Sequence, residues 1–156
     1  MSVEISTDKA RLDVERITAW LADSYWAKNI PQGIVQKSIE NSLCFGAYMN
    51  NVQVGFAHVI TDYATFAYVA DVIVDYAHRG NGVGKHLMTA IQQHPDLQGL
   101  RRWCLVTLDA HTLYEQFGYA TTKHPERYME ILEPDIYTKQ LKTDSAEARM
   151  ISFKNQ

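Results

Sequence analysis

The sequence predicts a single α/β (α+β) domain, and three observations carry that expectation. Three strand-like runs follow one another between residues 43 and 74, two helical stretches precede them, and an amphipathic helix starts directly after a glycine-rich turn at residues 79–84. A chain of 156 residues with 46% hydrophobic and 21% charged content suits one core of ordinary size.

In order, residues 3–6 read as a short strand. Val14, Ile17, Leu21 and Tyr25 then recur at helical spacing, with Trp20 widening the same face. Pro31 suits a first helical turn, and Ile34, Val35 and Ile39 share a side after it. Leu43–Met49 and Val52–Thr61 are strand-like, and Asn50-Asn51 between them tolerates positive φ, which predicts a β-hairpin. Phe66–Val74 is apolar throughout except around Asp71, the pattern of a central strand covered on both faces. Beyond the glycine turn, Val83, Leu87, Met88 and Ile91 make a helical stripe that His94-Pro95 ends. Residues 103–106 read as a buried strand, 110–117 as a short helix stopped by Gly118, and 127–132 as a closing strand. The reading thus places the domain in residues 1–133. The polar extension at 134–156 is compatible with a terminal helix, a dimer arm or disorder.

A net charge of -3 and a pI near 6.0 supply no basic field, so neither nucleic acid nor an anionic membrane is expected as a partner. An amine-bearing substrate suits this charge better. No apolar h-region opens the chain and no run approaches the roughly 18 apolar residues of a membrane span, so a cytoplasmic location is expected. The two cysteines, Cys44 and Cys104, sit in apolar runs as free thiols do, and the six histidines form no H-E-x-x-H motif. No metal is expected.

The chemistry concentrates at Arg79-Gly80-Asn81-Gly82-Val83-Gly84. A strand running into this turn and then into a helix presents free backbone N–H groups at a helix N-terminus, which is an anion site. Glycines let the main chain approach a pyrophosphate, and Arg79 and Lys85 add charge-assisted bonds. A P-loop needs four residues between its first glycine and the Gly-Lys pair; Gly80 and Gly84 enclose three, and His86 follows Lys85. A dinucleotide fingerprint needs glycine where Lys85 stands.

With Arg79, Gly82 and Gly84 the turn resembles the Q/R-x-x-G-x-G/A motif of the GNAT superfamily of N-acetyltransferases. About thirty residues downstream, Leu113-Tyr114-Glu115-Gln116-Phe117-Gly118-Tyr119 looks like that family's L-Y-x-x-x-G-F segment. The resemblance runs from about Leu12 to Leu132. It implies a mixed, mostly antiparallel sheet of six to seven strands flanked by about four helices and splayed between the fourth and fifth strands. It further implies acetyl-coenzyme A as co-substrate: pantetheine along Ile73 and Val74, pyrophosphate on the N–H groups from Gly80 through Asn81, Gly82, Val83 and Gly84 to Lys85, and Tyr114 near the sulfur. One departure is Thr107, where many members carry an asparagine seven residues before that tyrosine.

An amine with pKa near 10.4 is deprotonated only about once in 2,500 molecules at pH 7, a deficit of roughly 4.6 kcal/mol. Asp71, the lone charge in its strand, is the first candidate for offsetting it, as base or as ammonium ligand; the alternative is a structural carboxylate bonded to backbone or to an arginine. His111 and Glu115 are weaker candidates. Tyr114 suits hydrogen-bond stabilisation of a leaving thiolate, or else packs in the core. Tyr25 and Trp26 lie where the family shapes its acceptor pocket, and either contact a cationic amine or pack the first helix. A non-catalytic acyl-coenzyme A binding module and a homodimer both remain compatible with the sequence.

Overall fold

The computed structural model describes residues 2–154, with side chains described through residue 147. The hairpin forms where the asparagines predict it: β2 (Leu43–Met49) and β3 (Val52–Thr61) are joined by Asn50 and Asn51 at φ 49° and 61°. The link from β3 to β4 (Phe66–Val74) is held by Asp62, whose Oδ1 accepts from the N–H groups of Ala64 and Thr65 at 2.9 and 2.8 Å. β1 (Glu4–Ser6) and β5 (Arg102–Cys104) complete a five-stranded sheet in the order β1-β2-β3-β4-β5, antiparallel except between β4 and β5.

Helices α1 (Val14–Ala22) and α2 (Gln32–Glu40) cover one face. Ile17, Leu21, Val35 and Ile39 pack there with Cys44, Phe56 and Ile73. Asp13 caps α1 by accepting from Arg16 N–H at 3.0 Å. The opposite face carries α3 (Val83–Gln93), whose stripe of Val83, Leu87, Met88 and Ile91 is buried as its spacing predicts. Gly55 allows this close packing, because a Cβ there would lie 3.0 Å from Val83 Cγ1 and 3.2 Å from the Ile73 carbonyl. After β5 come α4 (His111–Glu115) and α5 (Ile136–Lys154). Among the described residues no helix is long and apolar enough to cross a membrane.

Among the described residues the sheet has five strands where six to seven are expected, and there are five α-helices where about four are expected, because the polar extension is helical from Ile136. Residues 127–132 form no strand. They follow a 3-10 turn at Pro125–Arg127 with Met129 and Ile131 at 96% and 100% exposure, since no neighbouring strand offers them a ladder. The strand expected at 103–106 shortens to Arg102–Cys104, only partly buried, and leaves Val106 exposed. Tyr25 lies beyond the end of α1 at 61% exposure, and Ile34 faces solvent instead of joining Val35 and Ile39.

Two irregularities in β4 position the site. Phe56 pairs with Ile73 while His58 pairs with Ala70, so β4 carries one extra residue there; Asp71 occupies the bulge at φ 53°. β4 then pairs with β5 over Phe66, Ala67 and Tyr68 alone, and among the described residues its stretch from Val69 to Val74 has no strand partner on that side. The implied splay between the fourth and fifth strands is thus a gap opening at Val69.

Replacing Leu87 by Ala should cost about 2–5 kcal/mol of unfolding free energy, because Leu87 is fully buried and its loss opens a cavity under α3. Ile131→Ser should stay within about 0.5 kcal/mol. Urea denaturation measures both; a large loss at Ile131 would mean that residues 127–132 are packed after all.

Candidate active site

The gap is walled on one side by the phosphate-type turn. Gly80 and Gly82 adopt φ 82° and 76°, conformations that side chains resist, and Gly82 is the N-cap of α3. The first helical bond is made by His86 N–H to the Gly82 carbonyl at 3.0 Å, so the N–H groups of Val83, Gly84 and Lys85 precede it and remain available to a ligand. Val74, His78, Arg79, Gly80, Gly82, Val83, Gly84, Lys85 and Leu113 line a cavity of about 210 Å³ here. Arg79 is steadied by donating from Nε to the Val74 carbonyl at 3.3 Å, while its guanidinium lies 5.3 Å from the Tyr76 ring. Asn81 does not line the cavity; its side chain donates to the His78 carbonyl at 3.2 Å and closes the turn. Ile73 buries its side chain under α1 and α2 and pairs with Phe56 of β3.

His78 was not singled out by the sequence reading. Its Nδ1 sits 2.8 Å from Asp75 Oδ2, which also faces Arg16 at 3.5 Å. The exit of β4 is thereby pinned to α1, and a histidine is set into the cavity wall.

Tyr114 is buried on α4 beside this cavity. The helix starts where the Thr107 hydroxyl accepts from Ala110 N–H at 3.0 Å and ends before Gly118 at φ 92°. Thr107 therefore ties the turn that leads into α4. Burial pushes the Tyr114 phenol above its ordinary value, and Tyr25 and Asp109 push the same way. Among the described residues its hydroxyl takes no hydrogen bond, so it is free to donate to a ligand. His111 and Glu115 are exposed on α4.

Asp71 stands at the bulge, partly exposed, with both oxygens engaged by side chains. Trp26 Nε1 donates to Oδ1 at 2.8 Å and His58 Nε2 meets Oδ2 at 2.7 Å. This differs from both sequence expectations for a structural Asp71, since neither backbone nor arginine holds it. Tyr25 stacks edge-on against Trp26 at 5.0 Å. Tyr137, on the first turn of α5, is close enough for the Asp71 charge to raise its phenol further after burial has done so. Asn29 secures that turn by donating to Thr138 Oγ1 at 2.9 Å. Tyr137 and His58 escaped the sequence reading. His58 carried a usable signal, as the only ionisable residue in β3, by the argument that picked out Asp71 in β4. Among the described residues no group of three or more His, Cys, Asp or Glu side chains is placed to hold a metal ion.

Tyr114→Phe should change unfolding free energy by less than about 0.5 kcal/mol, because it removes a hydroxyl with no protein partner. A loss near 1 kcal/mol in chemical denaturation would reveal a structural hydrogen bond instead.

Comparisons with known proteins agree with this geometry. The profile of the Acetyltransferase (GNAT) domain matches residues 40–121. A protein of known structure from Xanthomonas campestris pv. campestris, assigned to the GNAT family of acetyltransferases, is 49% identical. That match covers 88% of this chain and 97% of the other, with a TM-score of 0.85. A Gibberella zeae protein, an acetyltransferase by name, is 33% identical over 133 residues, 70% of this chain and 74% of its own length. A Staphylococcus aureus protein at 20% identity and TM-score 0.69, covering 85% of this chain and 99% of its own, shares the fold. The chain belongs to the GNAT acetyltransferase family.

Proposed function

We propose that the protein transfers the acetyl group of acetyl-coenzyme A to a primary amine by direct attack within a ternary complex. The observation that carries this reading is the single cavity joining the end of β4, the open N-terminus of α3 and the Tyr114 helix. Three N–H donors, Arg79 and Lys85 suit a pyrophosphate. The unpaired edge of β4 suits an amide-bearing arm that runs as an added strand.

On the acceptor side, Asp71 attracts the ammonium form and takes one proton from it, freeing the lone pair with which the nitrogen attacks. Tyr25, Trp26 and Tyr137 surround it with aromatic surface, which favours a cation with an aliphatic stem. Tyr114 donates a hydrogen bond to the sulfur as the C–S electron pair moves onto it. Its raised pKa makes this a stabilising contact more than a full proton transfer to a thiolate whose thiol has pKa near 8.5.

Calorimetry with coenzyme A and single-turnover assays with an amine panel test the proposal. Gly82→Val should abolish coenzyme A binding, because a side chain there projects where a phosphate would approach and strains a residue at φ 76°; thermal denaturation checks that the variant is folded. Normal binding by that variant would remove the phosphate site. Asp71→Asn and Tyr114→Phe should each slow acetyl transfer by roughly ten- to a thousand-fold with coenzyme A affinity retained. Binding without transfer to any amine would favour an acyl-coenzyme A sensing module.

A further inference from the structure

The far side of Asp71 is tied to a chain of hydrogen bonds that runs from β4 through β3 to the residue before β2 and the end of α2. Trp26 Nε1–H donates to Asp71 Oδ1, and Asp71 Oδ2 meets His58 Nε2 at 2.7 Å. His58 Nδ1 meets Ser42 Oγ at 2.9 Å, and Ser42 Oγ donates to the Ser38 carbonyl at 2.6 Å. His58 and Ser42 are both buried. The register explains the alignment: His58 on β3 stands opposite Cys44 on β2 and Ala70 on β4, one residue before the bulge that carries Asp71.

Counting protons along this chain gives a definite result. One end is a carbonyl, which only accepts, and the other is an indole N–H, which only donates. The three bonds between Ser38 O and Asp71 need three protons. The serine hydroxyl supplies one and a neutral imidazole supplies one. All of the bonds therefore form together only when the His58 and Asp71 pair holds one further proton. Without it the pair is anionic, the Ser42 hydroxyl turns to donate to Nδ1, and the Ser38 bond is lost.

We propose that His58 is the positioning residue for Asp71, and that the base-competent enzyme is the form in which this chain has lost its extra proton. The proposal rests on the acetyltransferase reading. In the protonated form the imidazolium cancels the Asp71 charge toward the acceptor. In the deprotonated form Nε2–H still fixes the carboxylate, which now carries net negative charge, attracts the ammonium and takes one proton from it to free the lone pair; as the N–C bond forms, the C–S electron pair leaves with sulfur, which receives the second nitrogen proton.

Other titratable groups face the chain from each packed element. Cys44 on β2 lies 3.5 Å from Ser42 Oγ and brings its own proton, so the count is unchanged; burial raises its thiol while Lys9 lowers it. Tyr68 on β4 and Tyr137 on α5 both feel the Asp71 charge and are pushed up chiefly by burial, which keeps them protonated. The Phe56 ring stacks on His58 at 5.7 Å and contributes no charge.

The test pairs a rate profile with a measurement that needs no turnover. Long-range ¹H–¹⁵N spectra of the full-length protein should show both His58 ring nitrogens protonated at low pH and one proton lost at the pH of the acidic limb of kcat/KM. His58→Gln, which still donates to Asp71 but cannot titrate, should shift that limb to lower pH by about one unit or more. Ser42→Ala, which removes the acceptor for Nδ1–H, should shift it in the same direction by less. A merely structural role would lower stability or kcat and leave the limb where it was. An unmoved limb in both variants, or a His58 ring that stays neutral across the pH range, overturns the proposal. If the ring titrates as stated but no amine is acetylated, the functional reading fails, and the catalytic use of the chain falls with it.

Discussion

The bulge at Asp71 is the constraint on which the rest of the structure depends. A strand paired on both sides would have no room for a ligand, and a strand ending at residue 69 would not reach α3. The extra residue opposite Ala57 increases the local bend, so β4 keeps its ladder to β3 while parting from β5 after Tyr68. The same residue at φ 53° turns its carboxylate from the strand alternation to where Trp26 and His58 meet it. One local departure from regular pairing thus coincides with the opening beside β4 and sets the only carboxylate of β4 between Trp26 and His58.

The cleft divides the chemistry by charge. At the end of β4 the donors are positive or dipolar: Arg79, Lys85 and the first N–H groups of α3, with the glycine turn braced by Asn81 and by Asp75 between Arg16 and His78. Around Asp71 the surface is aromatic and negative. An anionic cofactor and a cationic acceptor would therefore be drawn to different places along β4. Tyr114, buried with its hydroxyl unengaged, feels Tyr25 of the aromatic surface.

The parts of this arrangement governed by local rules were readable in the sequence. Asn50-Asn51 fixed the hairpin because few residues accept consecutive positive φ, and the stripe from Val83 to Ile91 fixed the buried face of α3. The glycine turn was legible because a helix N-terminus behind two left-handed glycines follows from residue type alone. What was not legible depends on partners distant in the chain. Residues 127–132 have a strand's composition and no strand to pair with. β5 is short because its neighbour leaves it. The bond from Trp26 to Asp71 spans 45 residues and the bond from Asn29 to Thr138 spans 109, so no spacing rule reaches them. His58 lay between these cases: its isolation in an apolar strand was visible, but its partners Ser42 and Asp71 emerge only from the register of three strands.

The central claim is that the open half of β4 and the start of α3 together form one acyl-coenzyme A site. Amide hydrogen exchange with and without acetyl-coenzyme A addresses it most directly, since it reports on backbone groups and needs neither a known acceptor nor a substituted protein. Protection on binding should appear in residues 69–74 and 80–85 together, with the β2–β3 hairpin unchanged. Protection confined to another surface, or saturation with acetyl-coenzyme A that leaves both segments exchanging at their original rates, would contradict the account.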